Sequence, residues 1–276
     1  MRSLYREKTY TSGDYLEVNI YPVFRAASGR GKKAKPTTEA QKKLNERNAA
    51  RKLERLIDAN FTRDDIKCEL SYRPGCEPED TESAVRDCVN FMRRLKRIRT
   101  RLGLCDLKYI YVTERGEKSG RYHHHVIISG GVSPRELAEC WGLGYVQKIQ
   151  PLQFGPEGCA GIAYYMNGNK RGQKAARETY RHFHASKNLV QPKERVRDGR
   201  ISRRVADEMA KDCAGYCRER LEALYPGYIF AAAEQFYNDV NGGVYLTARM
   251  YRDGCDFGER KRKTKAKTYS ECPDLT

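Results

Sequence analysis

The chain of 276 residues contains no run of about 18 apolar residues, so no segment reads as a membrane-spanning helix. The opening stretch Met1–Lys8 lacks the apolar block of a secretion signal, which points to a cytoplasmic protein. Its 10 cysteines include no Cys-x-x-Cys pair, the nearest spacing being Cys213 to Cys217. Reduced thiols are therefore expected ahead of disulfides or a zinc cluster. No Gly-x4-Gly-Lys-Ser/Thr phosphate loop occurs either: neither Gly29–Lys32 nor Gly168–Lys174 fits it, so no helicase module is recognisable. Acidic residues are scarce as well, 36 against 53 Lys and Arg, leaving a net charge of +17. A hydrophobic content of 39% excludes wholesale disorder, and the length suits one large domain or two small ones.

The positive charge is concentrated in the first 200 residues. Residues 1–60 carry 14 basic and 7 acidic groups and residues 61–200 carry 26 and 17, whereas residues 201–276 carry 13 and 12. Six of those last basic groups fall in Arg260–Lys267. An excess of this size points to a polyanion, because Lys and Arg gain by displacing counterions from phosphates. Nucleic acid is the expected partner.

The pattern predicts an α+β fold. Tyr15–Tyr21 alternates like a strand, and a charged helix is expected from Thr37/Thr38 to about Ala59. Lys67–Tyr72 reads as a strand. Val85, Val89, Met92, Leu95, Ile98 and Leu102 form one apolar stripe on a helix, whose other positions hold Arg93, Arg94, Lys96, Arg97, Arg99 and Arg101. That basic run reads equally as a solvated face or as a phosphate-contacting one. Leu107–Glu114 and Tyr122–Ser129 are two strands joined by a glycine-bearing loop. Ser133, Pro134 and Glu136 spell a capping box, and Gly144–Gln150 is a further strand. A helix is expected over Pro156–Asn167, a loop to about Arg200, a single helix over Ser202–Leu224, and a hairpin of Tyr228–Tyr237 with Val244–Tyr251. The implied division is an N-terminal extension (1–60), a core (61–200) and a C-terminal helix, hairpin and basic tail (201–276).

All five histidines fall in two places, His123-His124-His125 and His182-Phe183-His184. On a strand, His123 and His125 share one face and His124 takes the other. A hairpin turning between Lys118 and Ser119 sets Glu114 opposite His123, with the two Cβ atoms roughly 5 Å apart. Two imidazoles and a carboxylate then converge with open positions, a mixed N/O set that suits Mn²⁺ or Mg²⁺, with Zn²⁺ an alternative. A one-residue slip would send Glu114 to the opposite face. Exposed strand histidines without a metal are the plain alternative. The second pair has no carboxylate at hairpin distance and lies beside Arg181 and Lys187, so DNA contact or a structural role suits it better than a cation.

The stretch Tyr111–Ile128, with Glu114, a turn holding Gly116 and Gly120, and His123-x-His125 opening a strand, resembles the metal motif of HUH endonucleases, the rolling-circle replication initiators. The strand Lys67–Tyr72 lies where their first motif falls, and Tyr164-Tyr165 followed by Lys170 lies where they carry a helical Tyr. Segment order over most of residues 12–192 resembles, more narrowly, the replication-associated proteins of bacterial phages and mobile elements. The resemblance implies an antiparallel sheet bearing the His hairpin with helices beside it. It also implies a Tyr hydroxylate that attacks single-stranded DNA at a replication origin, which can be a hairpin, leaving a 5′-phosphotyrosine and a free 3′-hydroxyl. Tyr165 is the first choice for nucleophile and Tyr164 the second. The family's Tyr-x-x-Lys pattern places Gly168 where its Lys is expected, and Lys170 stands two residues late.

The expected site thus comprises Glu114, His123 and His125 for the metal, and Tyr165, Tyr164 and Lys170 for catalysis. For DNA contact it comprises Arg93, Arg94, Arg97, Arg121, Arg171, His182 and Lys187. A separate helicase and DNA polymerase would be needed as partners, and no membrane. Three alternatives stand beside this: a relaxase or transposase with the same chemistry, a non-catalytic nucleic-acid-binding protein retaining the fold, and a structural zinc protein that unfolds on chelation.

Overall fold

The computed structural model describes residues 4–23, 39–116, 119–159, 161–162, 166, 169–170, 173–174, 183–238 and 242–257. They form two antiparallel five-stranded sheets with five helices, an α+β architecture. The chain divides into two compact units. One, the hairpin unit, holds the described residues of 60–153 and 159–189; the other, the terminal unit, holds those of 1–59, 154–158 and 190–258. Among the described residues no helix is long and apolar enough to cross a membrane.

In the terminal unit the strands are β1 (Leu4–Ser12), β2 (Tyr15–Val23), β10 (Lys193–Asp198), β11 (Tyr228–Asn238) and β12 (Gly243–Arg252), in the order β10-β1-β2-β12-β11. One sheet face packs Tyr5, Leu16, Val18, Ile20, Leu246 and Met250 against α4 (Arg203–Lys211) and α5 (Tyr216–Leu224). The opposite face is polar, and α1 (Glu39–Asn60) is tied to it by the ion pairs Arg55–Glu17 and Arg249–Glu54. The two ends of the chain, which in sequence read as separate extensions of a central core, therefore meet in one sheet through β2 and β12.

Three features depart from the expected elements. Strand β10 falls where the sequence reads as loop: every one of its residues is exposed, so it carries no hydrophobic alternation. Edge pairing with β1 and cross-strand ion pairs hold it, Arg6 to Asp198 at 2.7 Å and Lys8 to Glu194 at 2.9 Å. The helix expected over Ser202–Leu224 is two helices. Asp212 ends the first, and its carboxylate accepts from the N–H groups of Gly215 (2.8 Å) and Tyr216 (2.9 Å), starting the second. Third, in α2 (Thr81–Arg101) the buried seam is Ala84, Cys88, Phe91, Met92 and Leu95. Val85, Val89 and Ile98 flank it, and Leu102 is 44% exposed.

The hairpin unit's sheet runs β6-β3-β5-β4-β9, comprising β3 (Ile66–Tyr72), β4 (Tyr109–Arg115), β5 (Tyr122–Ile128), β6 (Gly144–Pro151) and β9 (His184–Ala185). A two-residue pair, β7 (Asn169–Lys170) with β8 (Gln173–Lys174), lies apart from it. Helices α2 and α3 (Pro134–Trp141) cover one face through Phe91, Leu95, Leu137 and Trp141. The capping box of Ser133 and Glu136 forms as expected, and Gly142 ends α3 at φ 66°, a left-handed position that favours glycine. Of the helix expected over Pro156–Asn167, Gly161, Ile162 and Met166 are helical, Pro156 and Glu157 lie in a turn, and most of the rest is outside the described residues. All nine described cysteines are free thiols.

Candidate metal centre

The hairpin register is the one expected from sequence: Glu114 pairs with His123, Thr113 with His124 and Val112 with His125. Pairing with β3 on the other side adds Glu69 opposite His125 and Ser71 opposite His123. The central strand β5 therefore presents its histidines between two neighbours, and strand alternation sorts them by face.

His124 faces the core and is fully buried. Both ring nitrogens are satisfied, Nδ1 with Thr113 Oγ1 and Nε2 with Tyr72 Oη, each at 2.9 Å. Burial, together with the neighbouring imidazoles, pushes it down to about 3, so it is a neutral histidine packed against Trp141.

His123 and His125 face the other way, with ring centroids 5.0 Å apart and planes perpendicular. Glu114 Oε2 lies 3.8 Å from His123 Nε2 and 3.4 Å from His125 Nε2. One ligand atom from each of the three residues falls within 4.8 Å of the others. Two ligand atoms each about 2.0–2.2 Å from a shared ion stand roughly 3–3.6 Å apart, so this spacing suits a divalent cation with small adjustments. Burial lowers the pKa of His123 and the adjacent His125 lowers it further, which favours the neutral, ligating imidazole. A buried Glu-His-His group that could bind a metal ion is thus present.

Two residues that sequence reasoning missed stand behind this cluster. Glu69 Oε2 is 4.0 Å from His125 Nδ1, the ring nitrogen turned away from Glu114, and it also accepts from Lys148 Nζ. Burial alone would raise the pKa of Glu69, but the hydrogen bond and charge of Lys148 hold it below the usual carboxylate range. Lys148 sits where the β3–β6 register shifts, Lys67 pairing with Gln150 but Glu69 with Gln147. One extra residue on β6 makes a bulge there, and Lys148 takes φ 52°, which is uncommon outside glycine. Glu69 is legible in principle, since it falls on the same strand face as His125 once β3 is laid beside β5. The bulge carries no sequence signal, as no glycine marks it.

Glu69, His125 and Lys148 line a cleft of about 280 Å³ together with Ile162 and Met166, the two described residues that bracket Tyr164 and Tyr165 in sequence. Tyr164, Tyr165, Arg171 and His182 lie outside the described residues. For Lys170 only the backbone is described, pairing with Gln173. Of the expected DNA contacts, Arg93 and Lys187 are exposed and line one cleft of about 330 Å³ with Lys96. Arg97 is exposed on α2. Arg94 instead donates to the carbonyls of Cys140 and Trp141 at the end of α3, and Arg121 donates to Tyr72 O at 3.0 Å and pairs with Glu77 at 2.8 Å. His184 stacks on Tyr111, with centroids 4.8 Å apart and planes within 5°.

No curated protein and no solved structure gives a significant match to the chain. Residues 68–170, a stretch that contains Glu69, Glu114, His123, His125 and Lys148, match the family model of replication-associated proteins of the ORF2 and gene 2 protein type, which supports a rolling-circle replication-associated protein.

Proposed function

We propose that this replication-associated protein is a metal-dependent, site-specific single-strand DNA endonuclease and ligase that starts rolling-circle replication through a 5′-phosphotyrosine. The observation that carries the reading is the convergence of Glu114, His123 and His125 on one sheet face, within the stretch that matches the replication family. A divalent ion held there, Mn²⁺ or Mg²⁺ with Zn²⁺ an alternative, would supply a Lewis acid for a scissile phosphate oxygen.

The residues divide the remaining work. The phenol oxygen of Tyr165, or of Tyr164, loses its proton and forms a bond to phosphorus. The bond from phosphorus to the 3′ oxygen breaks, and that oxygen takes up a proton as a free 3′-hydroxyl. The phosphoester energy stays in the tyrosyl link, so reversal by a 3′-hydroxyl religates the strand. His125, backed by Glu69, is kept with Nε2 toward Glu114. Lys170, and Arg93, Arg97 and Lys187 on their exposed surfaces, would meet phosphates. A separate helicase and polymerase would act on the opened duplex and the new 3′ end.

The test is a denaturing gel of labelled single-stranded origin DNA with Mn²⁺, comparing the parent with Tyr164→Phe and Tyr165→Phe. A labelled band migrating with the protein and lost in one variant establishes the covalent step and names its nucleophile. DNA binding without any adduct would favour a non-catalytic binder, the reading that Gly168 in place of the expected Lys supports.

A further inference from the structure

We infer that the terminal unit carries a second, single-stranded nucleic-acid site, built on the polar face of its sheet and distinct from the metal centre of the hairpin unit. The register lays side chains in rows across this face. Lys8, Asn19, Thr247 and Glu234 are paired in turn across β1, β2, β12 and β11. The next row holds Arg6 opposite Tyr21 and Phe236 opposite Tyr245. Tyr21 and Tyr245 hold their rings parallel within 6°, with centroids 6.5 Å apart, and Phe236 stands 6.2 Å from Tyr245. Three aromatic rings thus stand side by side, and Phe236 remains 56% exposed.

A cleft of about 930 Å³ lies over these rows, more than three times the volume of the cleft at the metal cluster. Helix α1 supplies its wall. Five cations line it, Lys8, Arg47, Arg51, Lys52 and Arg55, against two carboxylates, Glu194 and Glu234. Arg55 is held in place by Glu17 and by stacking 3.6 Å over the Tyr10 ring, and Arg51 by Glu234 at 3.2 Å. Arg47 and Lys52 are exposed.

The combination selects the ligand. Cations along one wall suit a phosphate backbone, whereas aromatic faces on the floor need flat, apolar partners. Unpaired bases supply those partners; in a duplex the base faces are already stacked on one another. An acidic peptide would satisfy the cations and leave the rings uncovered. Placed on a different unit from the nicking chemistry, such a site would hold a strand without cutting it.

The experiment is fluorescence anisotropy with the full chain and a labelled oligothymidine of roughly 12 nucleotides, a length within the range one such groove engages. Chelator is present throughout, so metal-dependent cleavage plays no part and failure of the nicking reading leaves the result interpretable. Phe236→Ala/Tyr245→Ala should weaken binding by at least about five-fold, the loss of one base stack. The exposed pair Arg47→Glu/Lys52→Glu should weaken it too and flatten its salt dependence, while Glu114→Ala leaves it unchanged. Phe236→Ala alone, at the most exposed of the three rings, decides the matter if the double variant melts early. Unchanged affinity in the aromatic variant overturns the site, whatever the charge variant does. Equal binding of the same-length duplex, equally weakened, overturns the stacking and with it the proposal.

Discussion

At the scale of single residues, three consecutive histidines do two different jobs because strand alternation separates them. His124 is a core residue whose ring is fully hydrogen-bonded, while its neighbours reach Glu114 across the hairpin. A cation held only by the folded protein stabilises it by mass action, about 2.7 kcal/mol at a hundred times the dissociation constant. Mn²⁺ should therefore raise the melting temperature of the parent by a few degrees, and of Glu114→Ala, His123→Ala and His125→Ala not at all. An equal rise in all four proteins would place the ion elsewhere. A different carboxylate governs acid stability. Burial would raise the pKa of Glu17, but the hydrogen bond and charge of Arg55 outweigh it and hold the pKa below its ordinary 4.5. The group then contributes stability that is present above about pH 4.5 and is lost as pH falls toward the folded value. Glu17→Gln should cost on the order of 3 kcal/mol at neutral pH and flatten the acid limb of a denaturation series; an unchanged limb would mean that other carboxylates dominate it.

At the scale of elements, legibility depends on whether a signal is local. The hairpin register, the capping box at Ser133 and the long helices are readable because periodicity and caps are written in adjacent residues. The metal set is readable for the same reason: Glu114 and His123 are joined by one short turn. Glu69 and Lys148 are not, since they reach the cluster through strand pairings fixed by the whole sheet and through an unmarked bulge. Arg99 shows the same limit. It sits in what reads as a solvated basic run, yet it is 4% exposed and donates to the carbonyls of Cys105, Ser129 and Gly130. The split of the 203–224 helical stretch is within reach, because Asp212 and Gly215 are ordinary helix-end residues. Asp212 satisfies two N–H groups at the start of α5, so Asp212→Ala should destabilise the protein by about 1 kcal/mol, measured by urea unfolding. A change below a few tenths would show that water replaces the cap freely.

At the scale of the whole molecule, a net charge of +17 is spread over two units with different surfaces. The hairpin unit adds exposed Arg93, Arg97 and Lys187 to its metal cluster, and the terminal unit sets its cations beside aromatic rings. The six basic groups of Arg260–Lys267 lie outside the described residues, and their contribution follows from charge alone. Each phosphate neutralised on a single strand adds about 0.7 to the slope of log affinity against log salt. Six cations can then contribute at most about 4 to that slope, and a chain ending at Phe257 should lose part of it. Its nonspecific affinity should fall most at low salt and least near 0.5 M, where roughly 4 Å of Debye length screens the tail from the strand. The same truncation should leave cleavage of a short oligonucleotide intact, because none of the residues assigned to the metal or to the tyrosyl step lies beyond Lys170. A truncated chain that binds weakly at low salt yet nicks at the parent's rate on saturating DNA separates capture from chemistry. Loss of nicking at saturation would instead make the tail part of the reacting site.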